Sequence, residues 1–225
     1  MDLEKYLAAH MIANLADVPW TGSTLDAEAL LEASPDPMAV LNFGNCYLRA
    51  YLARRIQECG LVKKGTFILS SGKKSDIYVD MRKLWSFPKL ARLAALLLSS
   101  LLKSEVDYAT VVGVATGGIP LAAHLSVTLG WPMGYARPKR KEYGQMKLIE
   151  GVEPGQKVVV VDDVTTTGRS LAQTIDALKE FGAEPVLAVA LLDRQEGSEE
   201  EIAKRNVKFV KLLTLAEVLK GPRCG

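Results

Sequence analysis

Two adjacent carboxylates, Asp162 and Asp163, directly follow four consecutive valines at 158–161. Such a valine run predicts a strand buried on both faces of a parallel sheet. A loop of three threonines and a glycine comes next, and helical spacing then runs over 170–181. Exposed N–H groups and the positive end of a helix attract phosphate, while carboxylates accept hydrogen bonds from a ribose diol. The pattern favours a sugar phosphate, with a buried strand ending in an acidic turn, or two carboxylates on a metal ion, as alternatives.

The stretch 158–168 as a whole resembles the motif that binds phosphoribosyl diphosphate (PRPP) in type I phosphoribosyltransferases. The resemblance implies that Asp162 and Asp163 hold the ribose hydroxyls, with Asp163 the better candidate for handling a proton. It also implies that the following loop and helix start bind PRPP through Val164, Thr165, Thr166, Thr167, Gly168, Arg169 and Ser170.

A second loop, at 113–120, joins a predicted strand to a predicted helix and contains adjacent glycines. Paired glycines let the backbone approach an anion closely, and the helix start adds its dipole. A tight turn that needs glycine for packing explains the same residues. The loop resembles the one that holds pyrophosphate in orotate phosphoribosyltransferases, which implies a pyrophosphate loop of Ala115, Thr116, Gly117 and Gly118.

A third stretch places four cations within the five residues 137–141. The segment 137–154 has little hydrophobic patterning, which predicts a long mobile loop, and such loops often act as lids. A basic lid would stabilise charge on a departing pyrophosphate and exclude water. A solvated basic loop is the plainer interpretation.

This basic loop resembles the catalytic loop of orotate phosphoribosyltransferases, Arg-Lys-x-x-Lys-x-His(or Tyr)-Gly. Pro138 stands where the family usually has lysine, and Lys139 follows it. The resemblance implies that Lys141 is catalytic and that the loop meets PRPP. Four positions agree with the family pattern, namely Arg137, Lys141, Tyr143 and Gly144. The PRPP contacts expected from the loop are Arg137, Lys139, Lys141 and Tyr143.

Two further segments resemble the part of that family that selects the base. The segment 67–82 is similar to the one that covers the pyrimidine, with Lys74 at its lysine and Asp76 in place of a common proline. The segment 192–197 is similar to the one whose arginine meets the orotate carboxylate. Arg194 offers a planar fork suited to a carboxylate, although an ion pair with Asp193 or Glu196 would also explain it. The resemblance implies that Lys74 faces PRPP and that Thr166 and Arg194 face orotate.

Composition limits the remaining classes. The chain has 225 residues, 48% of them hydrophobic, which is enough for one domain and an appendage. A net charge of +2 does not suggest nucleic acid, and three scattered cysteines predict neither a disulfide framework nor a zinc site. We therefore expect a cytoplasmic protein. The stretch 108–136 has no charged residue, but its glycines and prolines divide it into strand, loop, helix and strand rather than a membrane span.

Alternating strands and helices predict an α/β fold with a mainly parallel sheet flanked by helices, as in type I phosphoribosyltransferases. We predict a helical extension at 1–45 and a phosphoribosyltransferase domain at 46–225, with a small hood at about 46–87 and a core at about 88–220. The strands expected are 66–69, 77–79, 111–114, 133–136, 158–161, 186–192 and 208–213. The helices expected are 2–16, 25–32, 47–59, 88–102, 119–129, 170–181 and 215–220.

The resemblance covers about residues 45–220 and implies an enzyme that converts orotate and PRPP into orotidine 5′-phosphate and pyrophosphate. It also implies Mg²⁺, carried by PRPP with no metal site from the protein alone, and a homodimer whose basic loop is shared across subunits. A phosphoribosyltransferase for another base is one alternative. A PRPP-sensing regulator with an N-terminal DNA-binding module is another, against which Lys5 is the single Lys or Arg of residues 1–45. No membrane partner is expected.

Replacement of Lys141 with alanine tests the catalytic interpretation of the basic loop. If the ammonium group acts mainly on the departing pyrophosphate, Lys141→Ala lowers the turnover rate by about 100-fold or more while the Michaelis constants change little. Steady-state kinetics check this. A turnover rate equal to that of the wild type would remove Lys141 from the mechanism.

Overall fold

The computed structural model of the chain describes residues 37–68, 74–137 and 149–220. A sheet of six strands forms its centre, and a separate two-stranded antiparallel hairpin precedes it. The hairpin strands are β1 (Val62–Ile68) and β2 (Lys74–Val79). The central strands are β3 (Thr110–Val114), β4 (Met133–Ala136), β5 (Ile149–Glu150), β6 (Lys157–Thr165), β7 (Glu184–Asp193) and β8 (Lys208–Thr214).

Helices cover both faces of the central sheet. They are α1 (Pro37–Glu58), α2 (Pro88–Glu105), α3 (Gly118–Leu129), α4 (Arg169–Phe181), α5 (Ser198–Ala203) and α6 (Leu215–Lys220), with a 3₁₀ turn at Met81–Ser86. In the part of the chain just described, no helix has both the length and the apolar character needed to cross a membrane. The charge-free stretch 108–136 is strand, loop, helix and strand, as predicted.

The strand order is β5-β4-β3-β6-β7-β8, and every neighbouring pair is parallel except β4 with β5. This confirms the predicted α/β fold with a mainly parallel sheet. The chain builds the sheet outward from β3 on one side and from β6 on the other. Ligands of open α/β sheets bind in the crevice at such a switch point, beyond the carboxyl ends of the strands.

The four valines of β6 explain why that strand sits at the centre. All four are fully buried. Val159 and Val161 pack in the cluster that contains buried leucines of α1, α2 and α3. Val158 and Val160 pack in the cluster that contains the leucines and isoleucine of α4. Because successive side chains of a strand point to opposite faces, a continuous apolar run fits a strand covered by helices on both sides.

Several boundaries differ from the sequence predictions. The helix expected at 47–59 already includes Pro37, the first described residue, so it continues across residue 45, and the division of the chain there stays a prediction. Strand β6 does not end at Val161 but continues to Thr165, because its ladder with β7 runs on. The predicted helices at 2–16 and 25–32 lie outside the described residues.

The end of the segment predicted as a mobile loop is ordered. Ile149 and Glu150 pair with β4, and Val152 is buried at 5% exposure. Apolar side chains at 149 and 152 were too few to show periodicity in the sequence. Residues 138–148, which include most of the predicted lid, lie outside the described part of the structure.

Candidate active site

The acid pair lies within β6, next to the switch point between β3 and β6. Asp162 and Asp163 are each only 8% exposed. The N–H of Asp163 donates to Asp162 Oδ1 at 3.0 Å, and the N–H of Val164 donates to Asp163 Oδ1 at 2.9 Å. Each carboxylate is therefore fixed by the backbone amide of the following residue.

The two carboxyl groups differ in acidity. Burial, reinforced by the charge of Asp163, raises the pKa of Asp162 well above its usual value. Burial also raises the pKa of Asp163, but its hydrogen bonds to Asp162 and to the N–H of Val164, and the positive charge of Arg82, act in the opposite direction. Asp162 therefore holds a proton more tightly, and Asp163 is the group that more readily presents an ionised carboxylate.

Arg82 is a site cation that the sequence analysis missed. It lies in the 3₁₀ turn after β2, where its Nε donates to Asp80 Oδ1 at 2.8 Å and its side chain stays 64% exposed. Its charge favours the ionised form of Asp163, as noted above. The segment 67–82 resembles the base-covering segment, but no local pattern indicates that the charge of its last residue lowers the pKa of Asp163.

The glycine loop after β3 lies directly against the acid pair. A Cβ atom on Gly117 would lie 2.2 Å from Asp163 Oδ1, and one on Gly118 would lie 2.4 Å from the carbonyl oxygen of Val161. The peptide bond between Ala115 and Thr116 is cis. The two motifs that the sequence predicted as phosphate cradles therefore meet. The packing explanation of the two glycines is right, and anion binding by the same loop is a proposal that it does not exclude.

The hydroxyl loop leads from the end of β6 into α4. Thr165 is buried, Thr166 is half-buried and Thr167 is exposed. Gly168 has a left-handed φ of +76°, and a Cβ there would lie 2.9 Å from Ser198 Cα. Glycine is therefore needed at this turn both for its φ and for the close approach of α5. The predicted helix start at Ser170 is found one residue earlier, at Arg169.

Arg194 lies beside this hydroxyl loop. Its N–H donates to the carbonyl oxygen of Thr165 at 2.9 Å, and its Nη2 is 3.0 Å from Glu196 Oε1. The alternative of an ion pair with Glu196 is therefore realised, whereas Asp193 accepts hydrogen bonds from Gln195 and Ser198 instead. The buried Nε of Arg194 has no hydrogen-bond partner among the described residues.

The remaining predicted cations that the structure describes make no hydrogen bond or ion pair with the acid pair or with the two loops beside it. Arg137 follows β4, where its Nη2 donates to the Tyr135 hydroxyl at 2.9 Å and lies 3.5 Å from Glu150 Oε1. Lys74 begins β2 and is exposed. Lys139, Lys141 and Tyr143 lie outside the described residues. The structure thus brings together the acid pair, the glycine loop, the hydroxyl loop and Arg194.

Comparison with known proteins decides which family this arrangement belongs to. Residues 86–217 match the model of the phosphoribosyl transferase domain. The orotate phosphoribosyltransferase of Aeropyrum pernix is 41% identical over 174 residues, which are 77% of this chain and 94% of that protein. The enzyme of the same name from Methanopyrus kandleri is 43% identical over 175 residues, covering 78% and 93%. The chain belongs to the orotate phosphoribosyltransferase family.

Solved structures of this family agree in fold. The crystal structure of the Aeropyrum pernix orotate phosphoribosyltransferase has a TM-score of 0.69 and covers 75% of this chain and 96% of that one. The Mycobacterium tuberculosis H37Rv orotate phosphoribosyltransferase in complex with PRPP has a TM-score of 0.64 at 30% identity, covering 76% and 98%. Family membership makes the chain a phosphoribosyltransferase.

Substitution of Gly117 tests the contact between the glycine loop and the acid pair. In Gly117→Ala the new methyl group displaces the Asp163 carboxylate, which can rotate away, so the fold survives while the acid is misplaced. We expect kcat/KM to fall by about 100-fold. Gly118→Ala is the matched comparison, because its methyl group meets a backbone carbonyl that cannot rotate, and thermal unfolding should show the larger loss of stability there. Wild-type kinetics in Gly117→Ala would contradict the proposed geometry.

The raised pKa of Asp162 predicts a pH-dependent stability. Because the folded state binds the proton more tightly than the unfolded state, this carboxyl stabilises the fold at low pH, and that contribution is lost as pH rises from about 4 through its raised pKa. Asp162→Asn keeps the acceptor oxygen but cannot ionise. Its melting temperature should exceed that of the wild type by several degrees near neutral pH, and the difference should shrink as the pH is lowered. A difference that is independent of pH would refute the assignment.

Proposed function

We propose that this chain transfers the phosphoribosyl group of PRPP to orotate, giving orotidine 5′-phosphate and pyrophosphate in de novo pyrimidine (UMP) biosynthesis. The observation that carries the proposal is the contact of the glycine loop with Asp163 at the β3–β6 switch point, with Arg194 hydrogen-bonded to the adjoining hydroxyl loop. This arrangement occurs in a chain whose relatives are named for that reaction.

PRPP binds with its ribose hydroxyls at the acid pair. Asp162 and Asp163 accept hydrogen bonds from the diol, and Asp163 handles the proton because it ionises more readily. The 5′-phosphate takes hydrogen bonds from the N–H groups and hydroxyls of the loop and helix start that follow, where the dipole of α4 also favours an anion. The residues proposed for this phosphate are Val164, Thr165, Thr166, Thr167, Gly168, Arg169 and Ser170.

Orotate binds with its carboxylate on Arg194. The guanidinium pairs with Glu196, and its Nε has no partner among the described residues. A planar carboxylate can therefore take two parallel hydrogen bonds in place of the single ion pair. Thr166 lies on the same loop and contacts the base. A purine has no carboxylate for Arg194, so this residue selects orotate. Lys74 reaches PRPP from the hood.

The bond that breaks joins the ribose to pyrophosphate, and positive charge develops on the ribose ring. The backbone of residues Ala115, Thr116, Gly117 and Gly118 holds the pyrophosphate. The basic loop closes over it and stabilises the charge of the leaving group, with Lys141 acting in the transition state. The residues of the basic loop that contact PRPP are Arg137, Lys139, Lys141 and Tyr143. Closure also excludes water, which would otherwise hydrolyse PRPP.

Magnesium fits this site as part of the substrate. In the described ranges, no group of three or more His, Cys, Asp or Glu side chains is placed to hold a metal ion. Mg²⁺ usually keeps several waters and binds through one or two carboxylates plus substrate phosphates. When carried by PRPP, it would offset charge on the pyrophosphate oxygens, and the carboxylates of Asp162 and Asp163 would be the protein groups available to hold it.

The active form is a homodimer in which the basic loop of one subunit reaches the site of the other. The loop leaves the sheet at Arg137, at the carboxyl edge that carries the site, and returns at Ile149. The enzyme works in the cytoplasm. There its three cysteines, whose spacing predicts no disulfide framework, stay reduced. Mixing Lys141→Ala subunits with Asp163→Asn subunits tests the shared loop. Sedimentation should show dimers, and activity should recover on mixing, because one site of a mixed dimer then has both an intact loop and an intact acid pair.

A panel of bases tests the substrate assignment. In the presence of Mg²⁺, release of pyrophosphate from PRPP should require orotate and should not occur with uracil, adenine or hypoxanthine. Turnover with another base alone would replace orotate as the substrate. PRPP binding without turnover of any base, together with a salt-dependent shift of DNA, would instead favour a regulator.

Replacement of Arg194 tests its role directly. Loss of a charged hydrogen-bonding partner is worth about 1.5–3 kcal/mol, so Arg194→Ala should raise the Michaelis constant for orotate by about 10- to 100-fold and that for PRPP much less. Arg54→Ala is the control, because Arg54 pairs with Glu58 on the exposed face of α1. Equal weakening of both substrates by Arg194→Ala would contradict the carboxylate assignment.

A further inference from the structure

A buried carboxylate, Asp193, lies at the end of β7 without a role in the reaction proposed above. It is 1% exposed and stands opposite Thr165 in the β6–β7 ladder. Its Oδ1 accepts a hydrogen bond from the Ser198 hydroxyl at 2.7 Å and another from the N–H of Gln195 at 2.9 Å. Ser198 is itself 1% exposed and begins α5. A polar group buried this deeply keeps its place only while its hydrogen-bond donors remain.

Asp193 and Ser198 together close a short turn that contains Arg194. Within this turn Gln195 adopts a left-handed φ of +61°, which a residue other than glycine rarely does without support from its surroundings. The hydrogen bonds from Gln195 and Ser198 to Asp193 supply that support. The position of the Arg194 backbone is therefore determined by a pair of side chains that are themselves buried.

The same turn is joined to the hydroxyl loop at three points. The N–H of Arg194 donates to the carbonyl oxygen of Thr165 at 2.9 Å, and the N–H of Glu196 donates to that of Thr166 at 3.2 Å. Gly168 packs against the backbone of Ser198 so closely that a Cβ would lie 3.0 Å from the Ser198 carbonyl oxygen. Residues 165–168 and 193–198 thus form one hydrogen-bonded unit.

We propose that Asp193 and Ser198 are positioning residues that couple the phosphate site to the orotate site. The inference rests on the proposed function, in which the hydroxyl loop binds the 5′-phosphate and Arg194 binds orotate. A phosphate bound at the loop fixes the carbonyl groups of Thr165 and Thr166 that hold the turn. The Ser198–Asp193 hydrogen bond transmits this constraint to Arg194, so ribose phosphate tightens the binding of orotate.

Coupling of this kind is reciprocal. If occupancy of the phosphate site raises the affinity for orotate by some factor, orotate must raise the affinity for the ribose phosphate by the same factor. This reciprocity distinguishes coupling from a local defect at either site, because a local defect weakens one ligand whether or not the other is present.

The test is calorimetric titration of orotate with and without 1,4-anhydroribitol 5-phosphate, which has the ribose ring and phosphate of PRPP but no leaving group. In the wild type this compound should lower the dissociation constant of orotate by about 5-fold or more. In Ser198→Ala the factor should fall to near one, while the dissociation constant of the ribitol phosphate alone changes little. In steady-state assays the variant should raise the Michaelis constant for orotate and leave kcat and the Michaelis constant for PRPP close to wild type.

Ser126→Ala is the matched control. Its hydroxyl donates to the carbonyl oxygen of Trp131 at the far end of α3, so the change also removes one internal hydrogen bond from a hydroxyl but leaves the unit 165–168 and 193–198 intact. Both variants should lose a few degrees of melting temperature, and the control should keep the wild-type coupling factor. Loss of coupling in Ser126→Ala as well would show a general effect of stability and overturn the inference.

Other outcomes separate the inference from the function on which it rests. A Ser198→Ala protein that keeps the wild-type factor overturns the coupling role. A variant that loses ribitol phosphate affinity as strongly as orotate affinity also overturns it, because Ser198 would then only maintain the loop. A wild type that turns over orotate but shows no coupling overturns the inference alone. A folded wild type that does not turn over orotate overturns the proposed function, and with it the inference that rests on that function.

Discussion

The close approach of the glycine loop to the acid pair is the constraint on which the site depends. Gly117 and Gly118 have no side chains, so the turn after β3 lies against the Asp163 carboxylate and the Val161 carbonyl group. The parallel register of β3 and β6 determines which residues meet at this contact, since Gly113 stands opposite Val161 in the ladder. The buried valines of β6 hold that ladder between two layers of helices. A core built for burial thereby holds two polar loops in contact with each other.

This arrangement places charge where the protein alone does not favour it. Two carboxyl groups lie side by side in a buried strand, and both have raised pKa values because burial disfavours the charged form. The positive charge of Arg82 lowers the pKa of Asp163 and offsets part of that cost. In the proposed reaction, the ribose diol donates to these carboxylates and the cations of the basic loop arrive with the pyrophosphate. Substrate binding thus compensates part of the stability that the buried carboxylates cost the free protein.

The central elements could be predicted from the sequence because local pattern and tertiary environment agree there. Four valines can be buried on both faces only in a central strand, and the loops that follow carry their chemistry in consecutive residues. Other features depend on contacts that no local pattern encodes. The charge of Arg82, in a distant segment, lowers the pKa of Asp163, and Asp193 gains the Ser198 hydroxyl only where α5 begins.

The measurement that tests the central claim most directly is the loss of the ultraviolet absorption of orotate in a mixture with PRPP and Mg²⁺, with each component omitted in turn. Orotate should be consumed only in the complete mixture, with one pyrophosphate released for each orotate consumed. Absence of turnover in a folded sample that still binds PRPP would contradict this claim and would leave the β3–β6 crevice as a PRPP site with a different purpose.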